Sequence, residues 1–440
     1  MEICTVGGYE EVGKNMTAVK VGDDVVILDM GIFLPAIVNL EREERIEISY
    51  RKLRAIGALP EDSAIEDWRD KVKAIILGHV HLDHIAAVPY LASRYNAPVI
   101  GTPYTIEVLK SILRDEEIRL PNKLIALNPN STYQVSENIT AELIGITHST
   151  LQCTLIALHT PEGIVLYCND FKFDNHPMLG KKPNYEKLRQ LGRKGVKVVI
   201  AESLYASREG KTPSEKVAYE LLRDVLLGTD NAGHAVFVTT FASHIARLHS
   251  IVELGKLMNR NIVIIGRSME KYIKAAEKLK LVNLSKDALI AGRGKQIKKV
   301  LQKVEKDPAS YLVICTGNQG EPGSILDRLS RKELPFTFHP EDHVIFSCRV
   351  IQEPTNIANR MMLENRLKKF RVRIFTDVHV SGHTSREDLR DLINMVKPEH
   401  IIPAHGDIAK LTSLAELAEE CGYKIGKNVH IASNGKRISL

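Results

Sequence analysis

Apolar and polar residues follow two different rhythms along this chain of 440 residues. Up to about residue 205, short apolar runs bounded by turn residues predict strands, among them 72–77, 139–146, 164–168 and 196–201. From about Glu215, the runs 235–240, 261–265 and 311–315 alternate with amphipathic helical stretches. That alternation predicts a parallel sheet with helices on both faces. The strand-rich rhythm returns after about Val372.

The length and the changes of rhythm together predict an α/β protein with more than one domain. A chain this long exceeds a typical single core. We place the boundaries at residues 1–205, 206–370 and 371–440. No apolar stretch approaches the roughly 20 residues that span a bilayer, and no basic segment followed by an apolar one opens the chain. The sequence therefore predicts a cytoplasmic protein without a membrane partner.

Cysteine usage and charge narrow the classes of function. Six scattered cysteines without a Cys-x-x-Cys pair argue against zinc ribbons and disulfide frameworks. The net charge of +6 is uneven, since residues 206–370 hold 27 Lys and Arg against 18 Asp and Glu. The stretch 267–306 alone holds 12 basic and 4 acidic residues. Such a stretch is either a solvated helix face or a surface for a polyanion.

The segment that follows the apolar run 72–77 carries the clearest chemistry. His79, His81, Asp83 and His84 lie within six residues, at a predicted strand end and the start of a predicted helix with an inner face of Ile85, Val88, Leu91 and Ala92. One aspartate before a helix is commonly only an N-cap. Three histidines and an aspartate in one turn instead favour a metal site, with zinc, manganese or iron as the ion.

Three further candidate ligands follow predicted strands. His148 follows the run 139–146, Asp170 follows 164–168, and His405 follows the apolar residues 401–403. A single His or Asp in a loop is weak support for a metal site. Three of them at successive strand ends strengthen one another, because a site with two metal ions needs ligands beyond the first cluster.

The seven ligand candidates together resemble the metallo-β-lactamase superfamily, with its His-x-His-x-Asp-His motif and later His, Asp and His ligands. The resemblance implies an αββα sandwich that holds two zinc ions, with manganese as the alternative metal. His79, His81 and His148 would bind one ion, and Asp83, His84 and His405 the other. Asp170 would bridge the two ions.

More distant residues sharpen the resemblance to the β-CASP nucleases of that superfamily. Glu202 ends the run 196–201, and His383 lies in Val-His-Val-Ser-Gly-His-Thr-Ser, 22 residues before His405. In that family the β-CASP domain is inserted into the lactamase fold, as the change of rhythm after residue 205 indicates. The segments 240–244, 316–322 and 379–383 look most like ribonuclease J, and the short chain end after His405 looks like its archaeal members.

This resemblance implies a zinc-dependent ribonuclease in RNA decay and maturation. Its implied activity is processive 5′-to-3′ exonucleolysis of single-stranded RNA that prefers a 5′-monophosphate. His383, Glu202 and Asp83 would carry catalysis, with His383 as donor or general acid and Glu202 orienting His383 or a metal ligand. The expected phosphate contacts come from two loops and comprise Ser243, His244, His379, Ser381, Gly382 and His383.

Other functions remain open at this point. A β-CASP endoribonuclease has the same motifs, and a thioester, lactone or ester hydrolase of the same fold shares the first ligand cluster. A binding protein with a vestigial site is a third alternative, although all seven ligands are present here. We also expect a homodimer, with an RNA helicase or the ribosome as candidate partners. Exonuclease against endonuclease activity, and RNA against single-stranded DNA, cannot be read from the residues.

Overall fold

A computed structural model describes residues 1–38 and 49–440. Its strands, in chain order, are β1 (Glu2–Gly7), β2 (Met16–Val21), β3 (Asp24–Leu28), β4 (Val72–Ile76), β5 (Val99–Gly101), β6 (Leu124–Ala126), β7 (Ser131–Gln134), β8 (Thr140–Gly145), β9 (Thr154–Thr160), β10 (Gly163–Cys168), β11 (Val196–Glu202), β12 (Val236–Thr239), β13 (Asn261–Ile265), β14 (Ala288–Ala291), β15 (Tyr311–Cys315), β16 (His343–Phe346), β17 (Arg373–Phe375), β18 (His400–Ala404) and β19 (Lys436–Ser439).

The α-helices are α1 (Leu34–Val38), α2 (Tyr50–Ala55), α3 (Leu82–Ile85), α4 (Val88–Leu91), α5 (Pro103–Asp115), α6 (Tyr185–Lys194), α7 (Glu215–Gly228), α8 (Ile245–Leu257), α9 (Arg267–Lys278), α10 (Gly294–Lys306), α11 (Ile325–Ser330), α12 (Pro354–Lys368), α13 (Arg386–Val396) and α14 (Ile408–Glu420). Short 3₁₀ helices cover Asp62–Lys71, Ala92–Arg94 and Pro308–Ser310. Across the described part of the chain, no helix is long and apolar enough to cross a membrane.

The chain folds into two compact units. The first unit comprises residues 1–175, 181–212 and 382–440, and the second comprises 176–180 and 213–381. The second unit is therefore an insertion between two parts of the first along the chain. The domain limits after residues 205 and 370 mark changes in the hydrophobic rhythm and stay predictions, whereas the compact units reflect packing.

The first unit is a sandwich of two sheets. One sheet has the order β19-β1-β2-β3-β4-β5-β6, and the other has the order β18-β11-β10-β9-β8-β7. Apolar residues from both sheets form one buried cluster that includes Ile3, Val26, Ile76, Leu143, Ile156 and Val198. The opposite face of the second sheet packs against α6, α13 and α14, and α5 packs on β5 and β6 of the first. This is the αββα arrangement expected from the sequence.

The second unit is a parallel sheet of six strands in the order β14-β13-β15-β12-β16-β17. The short strands consist of β-branched and aromatic residues such as Val236-Phe237-Val238, and they are buried over most of their length. Helices α10, α11 and α12 bury their apolar sides on one face of the sheet. The alternation of strand and helix therefore predicted this unit correctly.

The helix predicted after the first ligand cluster is broken in the structure. Two single-turn helices, α3 and α4, replace it, although its inner residues Ile85, Val88 and Leu91 are buried as expected. The N–H of Ala87 donates to Met30 O (3.0 Å) instead of continuing the helix. Pro89 has no N–H and stands at the start of α4, a position that suits proline but does not extend a preceding helix.

Gly31 permits the loop after β3 to touch the backbone of the ligand cluster. A Cβ atom at this position would lie 1.6 Å from Asp83 O and 2.5 Å from His84 N. The N–H of Asn15 also donates to Asp83 O (3.0 Å), so this backbone is held from two sides. No side chain fits at position 31 unless the candidate ligands Asp83 and His84 move.

Gly31→Ala should therefore lower both stability and metal content. We expect the free energy of unfolding in urea to fall by about 1–3 kcal/mol, the usual cost of overpacking, and elemental analysis to find less metal per chain. Gly228→Ala is the matched control, because a Cβ there meets nothing within 4 Å. Unchanged stability and metal content in Gly31→Ala would contradict this account of the loop.

Candidate metal centre

All seven candidate ligands converge in the first unit, at the ends of its strands. His79 and His81 follow β4, and Asp83 and His84 belong to the single turn α3. The remaining three ligands each follow a strand of the second sheet: His148 after β8, Asp170 after β10 and His405 after β18. Strands β8, β10 and β18 run in the same direction, so their carboxyl ends share one edge.

Four of these residues form a first metal-binding group, namely His79, His81, His148 and Asp170. His79 Nε2 lies 3.1 Å from His81 Nδ1, which lies 3.2 Å from His148 Nε2. The Asp170 carboxylate closes the group at 3.4 Å from His79 Nε2. Three imidazole nitrogens and a carboxylate oxygen thus face one common point, the arrangement that zinc prefers.

A second group shares Asp170 and consists of Asp83, His84, Asp170 and His405. Asp170 Oδ2 lies 3.1 Å from His84 Nε2, and Asp170 Oδ1 lies 3.4 Å from His405 Nε2. Asp83 Oδ2 lies 3.5 Å from His84 Nε2. Asp170 therefore stands between the two groups, where one carboxylate can contact an ion in each.

Two histidines of the first group are held in the neutral form that binds cations. Burial, followed by repulsion from neighbouring histidines, holds the pKa of His81 and of His148 well below the usual range, so both rings are neutral. A neutral imidazole is the form that binds a metal ion. Burial opposes ionisation of Asp83, but the adjacent His84 keeps its pKa below the ordinary value. Residues with lone pairs turned toward one another in this way fit two divalent ions.

Three of the rings are aimed inward by hydrogen bonds to their outer nitrogens. His84 Nδ1 donates to Asp29 Oδ2 (2.7 Å), His148 Nδ1 to Gly382 O (2.7 Å) and His405 Nδ1 to Asn15 Oδ1 (3.0 Å). Each bond fixes the tautomer and leaves Nε2 directed at the cluster. Buried acceptors behind ligand histidines are typical of metal centres.

Asp29 and Asn15 are functional residues that sequence reasoning missed. Asp29 follows β3, is fully buried, and also accepts hydrogen bonds from Gly78 N (2.8 Å) and Tyr167 Oη (2.9 Å). Asn15 also accepts from Asn169 Nδ2 (3.0 Å). The one signal in the sequence was an aspartate that directly follows an apolar strand, at Leu28-Asp29. No comparable signal marks Asn15.

Glu202 and His383 form a pair at the margin of the cluster. Glu202 Oε2 accepts from His383 Nδ1 (2.6 Å), and Glu202 Oε1 accepts from Phe171 N (2.9 Å) and Thr384 Oγ1 (3.1 Å). The Glu202 side chain is fully buried, whereas that of His383 is 20% exposed. Asp170, Glu202 and His383 also lie close enough to form a third group of ligand atoms.

The pair changes the charge state of His383. Burial alone would lower its pKa, but the carboxylates of Glu202 and Asp170 raise it to about 9. The imidazole is therefore disposed to carry a proton, with Nδ1 engaged by Glu202. Cations in the neighbouring groups would repel the protonated ring and bring this pKa down again.

Close packing explains why position 382 is a glycine, which the motif alone did not reveal. A Cβ there would lie 2.8 Å from Ser149 Cβ and 3.0 Å from Ser149 N. Its carbonyl oxygen is also the acceptor for His148, as described above. The glycine thus lets the loop before His383 press against the loop that carries a candidate metal ligand.

The other candidate substrate residues belong to the second unit. Ser243 and His244 lie in the loop between β12 and α8, and His379 and Ser381 lie in the segment after β17. Both loops follow the carboxyl ends of parallel strands of one sheet. Ser243, His244 and Ser381 are buried, and His379 is partly buried.

Arg247 ties these loops together and was also missed. It is completely buried and pairs through Nε with Glu215 Oε1 (2.5 Å) and through Nη2 with Glu215 Oε2 (2.9 Å). Arg247 Nη1 donates to Ser347 Oγ (2.8 Å) and lies 3.4 Å from His379 Nδ1. The backbone N–H of Arg247 donates to His244 Nδ1 (3.3 Å). One buried ion pair therefore positions both candidate phosphate histidines.

The same arginine keeps His379 neutral. Burial and then the Arg247 guanidinium lower the pKa of His379 to about 2. In Glu215, burial raises the carboxyl pKa, but Arg247 and His244 together, through charge and hydrogen bonds, hold it well below its ordinary value. The opposite charges of Arg247 and Glu215 offset each other inside the unit, and the neutral ring of His379 stands beside them.

Comparison with known proteins agrees with the fold and the metal centre. Residues 9–202 match the metallo-β-lactamase superfamily, residues 233–365 the β-CASP domain of ribonuclease J, and residues 369–432 a Zn-dependent metallo-hydrolase RNA specificity domain. A crystal structure of a protein of unknown function from Enterococcus faecalis has the same fold, with a TM-score of 0.69 at 18% identity and coverage of 100% of this chain and 99% of the other. The protein is a hydrolase of the metallo-β-lactamase class that carries a β-CASP domain.

Full-length relatives define the family within that class. The chain is 45% identical to ribonuclease J of Methanocaldococcus jannaschii, with coverage of 100% of this chain and 99% of the relative. It is 47% identical to ribonuclease J of Pyrococcus abyssi, with coverage of 100% and 97%. The chain belongs to the ribonuclease J family, and the resemblance inferred from its motifs is confirmed.

Replacement of Arg247 tests the role of the buried pair. Arg247→Met should lower the free energy of unfolding by about 3–5 kcal/mol, because it removes the guanidinium that neutralises the buried Glu215 carboxylate. Urea denaturation measures this change. Arg223→Met is the matched control, since Arg223 pairs with Glu220 on the surface of α7 and should cost less than about 1 kcal/mol. Equal losses of unfolding free energy in the two variants would show that the buried pair contributes no more to stability than a surface pair.

Proposed function

We propose that this protein is a zinc-dependent ribonuclease that degrades single-stranded RNA processively from the 5′ end and prefers a 5′-monophosphate. The observation that carries the proposal is the Glu202–His383 pair beside the two groups of ligands, which share Asp170. A buried carboxylate that orients an imidazole next to a two-metal site provides a proton donor for a phosphodiester. Names of full-length relatives support RNA as the substrate.

The ligand assignment follows the two groups described above. We assign His79, His81 and His148 to one zinc ion, Asp83, His84 and His405 to the other, and Asp170 to both; manganese is the alternative metal. Two divalent ions at such a site supply a water of lowered pKa and neutralise charge on the phosphate. The chain contributes the fixed directions of its ligands, which Asp29, Asn15 and Gly382 set by hydrogen bonds.

His383 acts next to these ligands, on the side of the phosphate from which the leaving group departs. Glu202 holds Nδ1, so the other ring nitrogen, Nε2, is the atom that can donate to a phosphoryl oxygen or protonate the leaving 3′ oxygen. Thr384 and Phe171 fix Glu202 in turn. In this proposal Glu202 is a positioning residue and His383 is the catalytic donor.

The phosphate pocket would come from the loops of the second unit. Hydroxyl and backbone N–H groups of Ser243 and Ser381, with His244 and His379, can hold a terminal phosphate without reading a base. A neutral His379 accommodates a monophosphate by hydrogen bonding rather than by charge. A pocket of this kind makes decay processive, because each released nucleotide leaves a new 5′-monophosphate.

His383→Ala should separate metal binding from turnover. We expect near-normal metal content, two equivalents per chain by elemental analysis, and a loss of turnover of about 10²–10⁴-fold because the proton donor is gone. Glu202→Gln should fall between wild type and His383→Ala. His159→Ala is the control, since His159 bonds Glu142 on β8, away from the ligands. Loss of metal in parallel with activity would make His383 structural instead.

Substrates with different 5′ ends test the exonuclease and its pocket. One RNA sequence with a 5′-monophosphate, 5′-triphosphate or 5′-hydroxyl is followed from a label on the base of its first nucleotide. We expect labelled mononucleotide from the start and fastest decay of the monophosphate, and Ser243→Ala should reduce that preference. Labelled intermediates of decreasing length would instead establish an endonuclease, and indifference to the end group would remove the pocket from the proposal.

Three expectations about the protein's surroundings stay predictions. These are a homodimer, a cytoplasmic location, and association with an RNA helicase or the ribosome. Sedimentation and affinity purification of the full chain would test them.

A further inference from the structure

The second unit carries a row of lysines along one side of α10. Lys295, Lys298, Lys299, Lys303 and Lys306 are all exposed, while Ile297, Val300, Leu301 and Val304 of the same helix are buried. At 100° per residue the lysines fall on the side of the helix opposite the buried residues. We call these five lysines the α10 lysine face.

The lysines of this face are not neutralised by neighbouring acids. Among the described residues, none of the five lies within ion-pair distance of a carboxylate. The four acidic residues of the stretch 267–306 contact other groups: Glu270 contacts Lys274, Asp287 contacts Lys256, Glu277 contacts Ser285, and Glu305 accepts from the N–H of Thr337. A helix whose purpose is only solubility more often intersperses both signs of charge.

Helix α10 runs from the carboxyl ends of the strands of this sheet back to their amino ends. The helix begins after the carboxyl end of β14 and ends before the amino end of β15. Arg293 stands exposed at its start and Arg267 at the start of α9, each directly after a glycine that follows one of the adjacent strands β14 and β13. The loops with Ser243 and His379 lie at the same carboxyl edge of this unit. From there the lysines extend about 17 Å along the helix, at 1.5 Å per residue.

The basic surface continues into a cleft at the amino ends of the strands. A cavity of about 500 Å³ at the amino ends of β13, β14 and β15 is lined by residues that include Lys286, Lys303, Tyr311 and the ion pair between Lys256 and Asp287. Lys303 therefore belongs both to the α10 lysine face and to this cleft. The basic groups form a track from one edge of the sheet to the other.

We propose that the α10 lysine face is a second RNA-binding surface, which holds the backbone of the single-stranded substrate away from its 5′ end. Charge complementarity supports this occupant, because successive lysines about one helical turn apart can each meet a phosphate. Apart from Tyr311 in the cleft, the described residues of the track include no aromatic side chain for base stacking, so binding should be independent of sequence. The proposal rests on the proposed function for the identity of the substrate.

The surface predicts a dependence on RNA length and on salt. The variant replaces four lysines together, as Lys295→Gln, Lys299→Gln, Lys303→Gln and Lys306→Gln. At low salt its affinity for an RNA of about 40 nucleotides should fall on the order of tenfold, and the slope of log Kd against log salt should drop by about 3, at about 0.7 per phosphate contact. Turnover of an RNA of about 6 nucleotides, shorter than most single-strand sites, should not change.

The control removes the same charge from other exposed positions. It carries Lys368→Gln, Lys369→Gln, Lys424→Gln and Lys427→Gln, all exposed in the structure. Affinity is measured by anisotropy with the metal chelated, so that no RNA is cut, and thermal unfolding checks that both variants fold. Because binding is measured apart from cleavage, absence of activity in the wild-type protein would overturn the proposed function and leave the binding result intact.

Three outcomes would overturn the second surface. The α10 variant could bind long RNA with unchanged affinity and salt slope, or the control could lose as much as the α10 variant, which would reduce the effect to net charge. Equal weakening toward an acidic peptide and toward RNA would point to a protein partner instead.

Discussion

The structure of the first unit depends on one constraint: five imidazoles and two carboxylates must share a small buried space with their lone pairs turned inward. Nitrogens 3.1–3.2 Å apart, as in His79, His81 and His148, gain little from one another without a cation. Buried polar groups without partners are costly. The cluster therefore suits cations in its centre and depends on a rigid shell that prevents the rings from turning away.

That shell consists of backbone and side-chain acceptors on elements far apart in the chain. Asp29 lies after β3, Asn15 before β2 and Gly382 just before His383, and each receives the outer N–H of one ring. Asp170 and His405 adopt left-handed backbone conformations, with φ of 55° and 56°. Such conformations cost about 1–3 kcal/mol each and persist where the surroundings dictate them. The two candidate ligands thus retain strain that the surrounding structure sustains.

The sequence predicted the parts of this arrangement that have local signatures. Strand periodicity located β4, β8, β10 and β18, and polar residues after them identified every member of the two ligand groups. The outer partners have no such signature: His405 and Asn15 are 390 residues apart, and an asparagine in a loop is common. The break between α3 and α4 also escaped prediction, because it depends on a hydrogen bond from Ala87 to Met30 that only the folded loop supplies.

Charge in the second unit shows why composition alone could not separate its two roles. The sequence shows only that basic residues outnumber acidic ones in 206–370, whereas the structure separates the buried basic residues from the exposed ones. Arg247 is buried and paired with Glu215, and its contacts fix the positions of His244 and His379. The lysines of α10 are exposed, and the acids near them bond elsewhere. A buried charge with a partner specifies structure, whereas an exposed row of one sign keeps its attraction for a polyanion. Substitution of Arg247 should disturb the groups packed around it, whereas each single replacement in the α10 lysine face should be tolerated and only several together should have an effect.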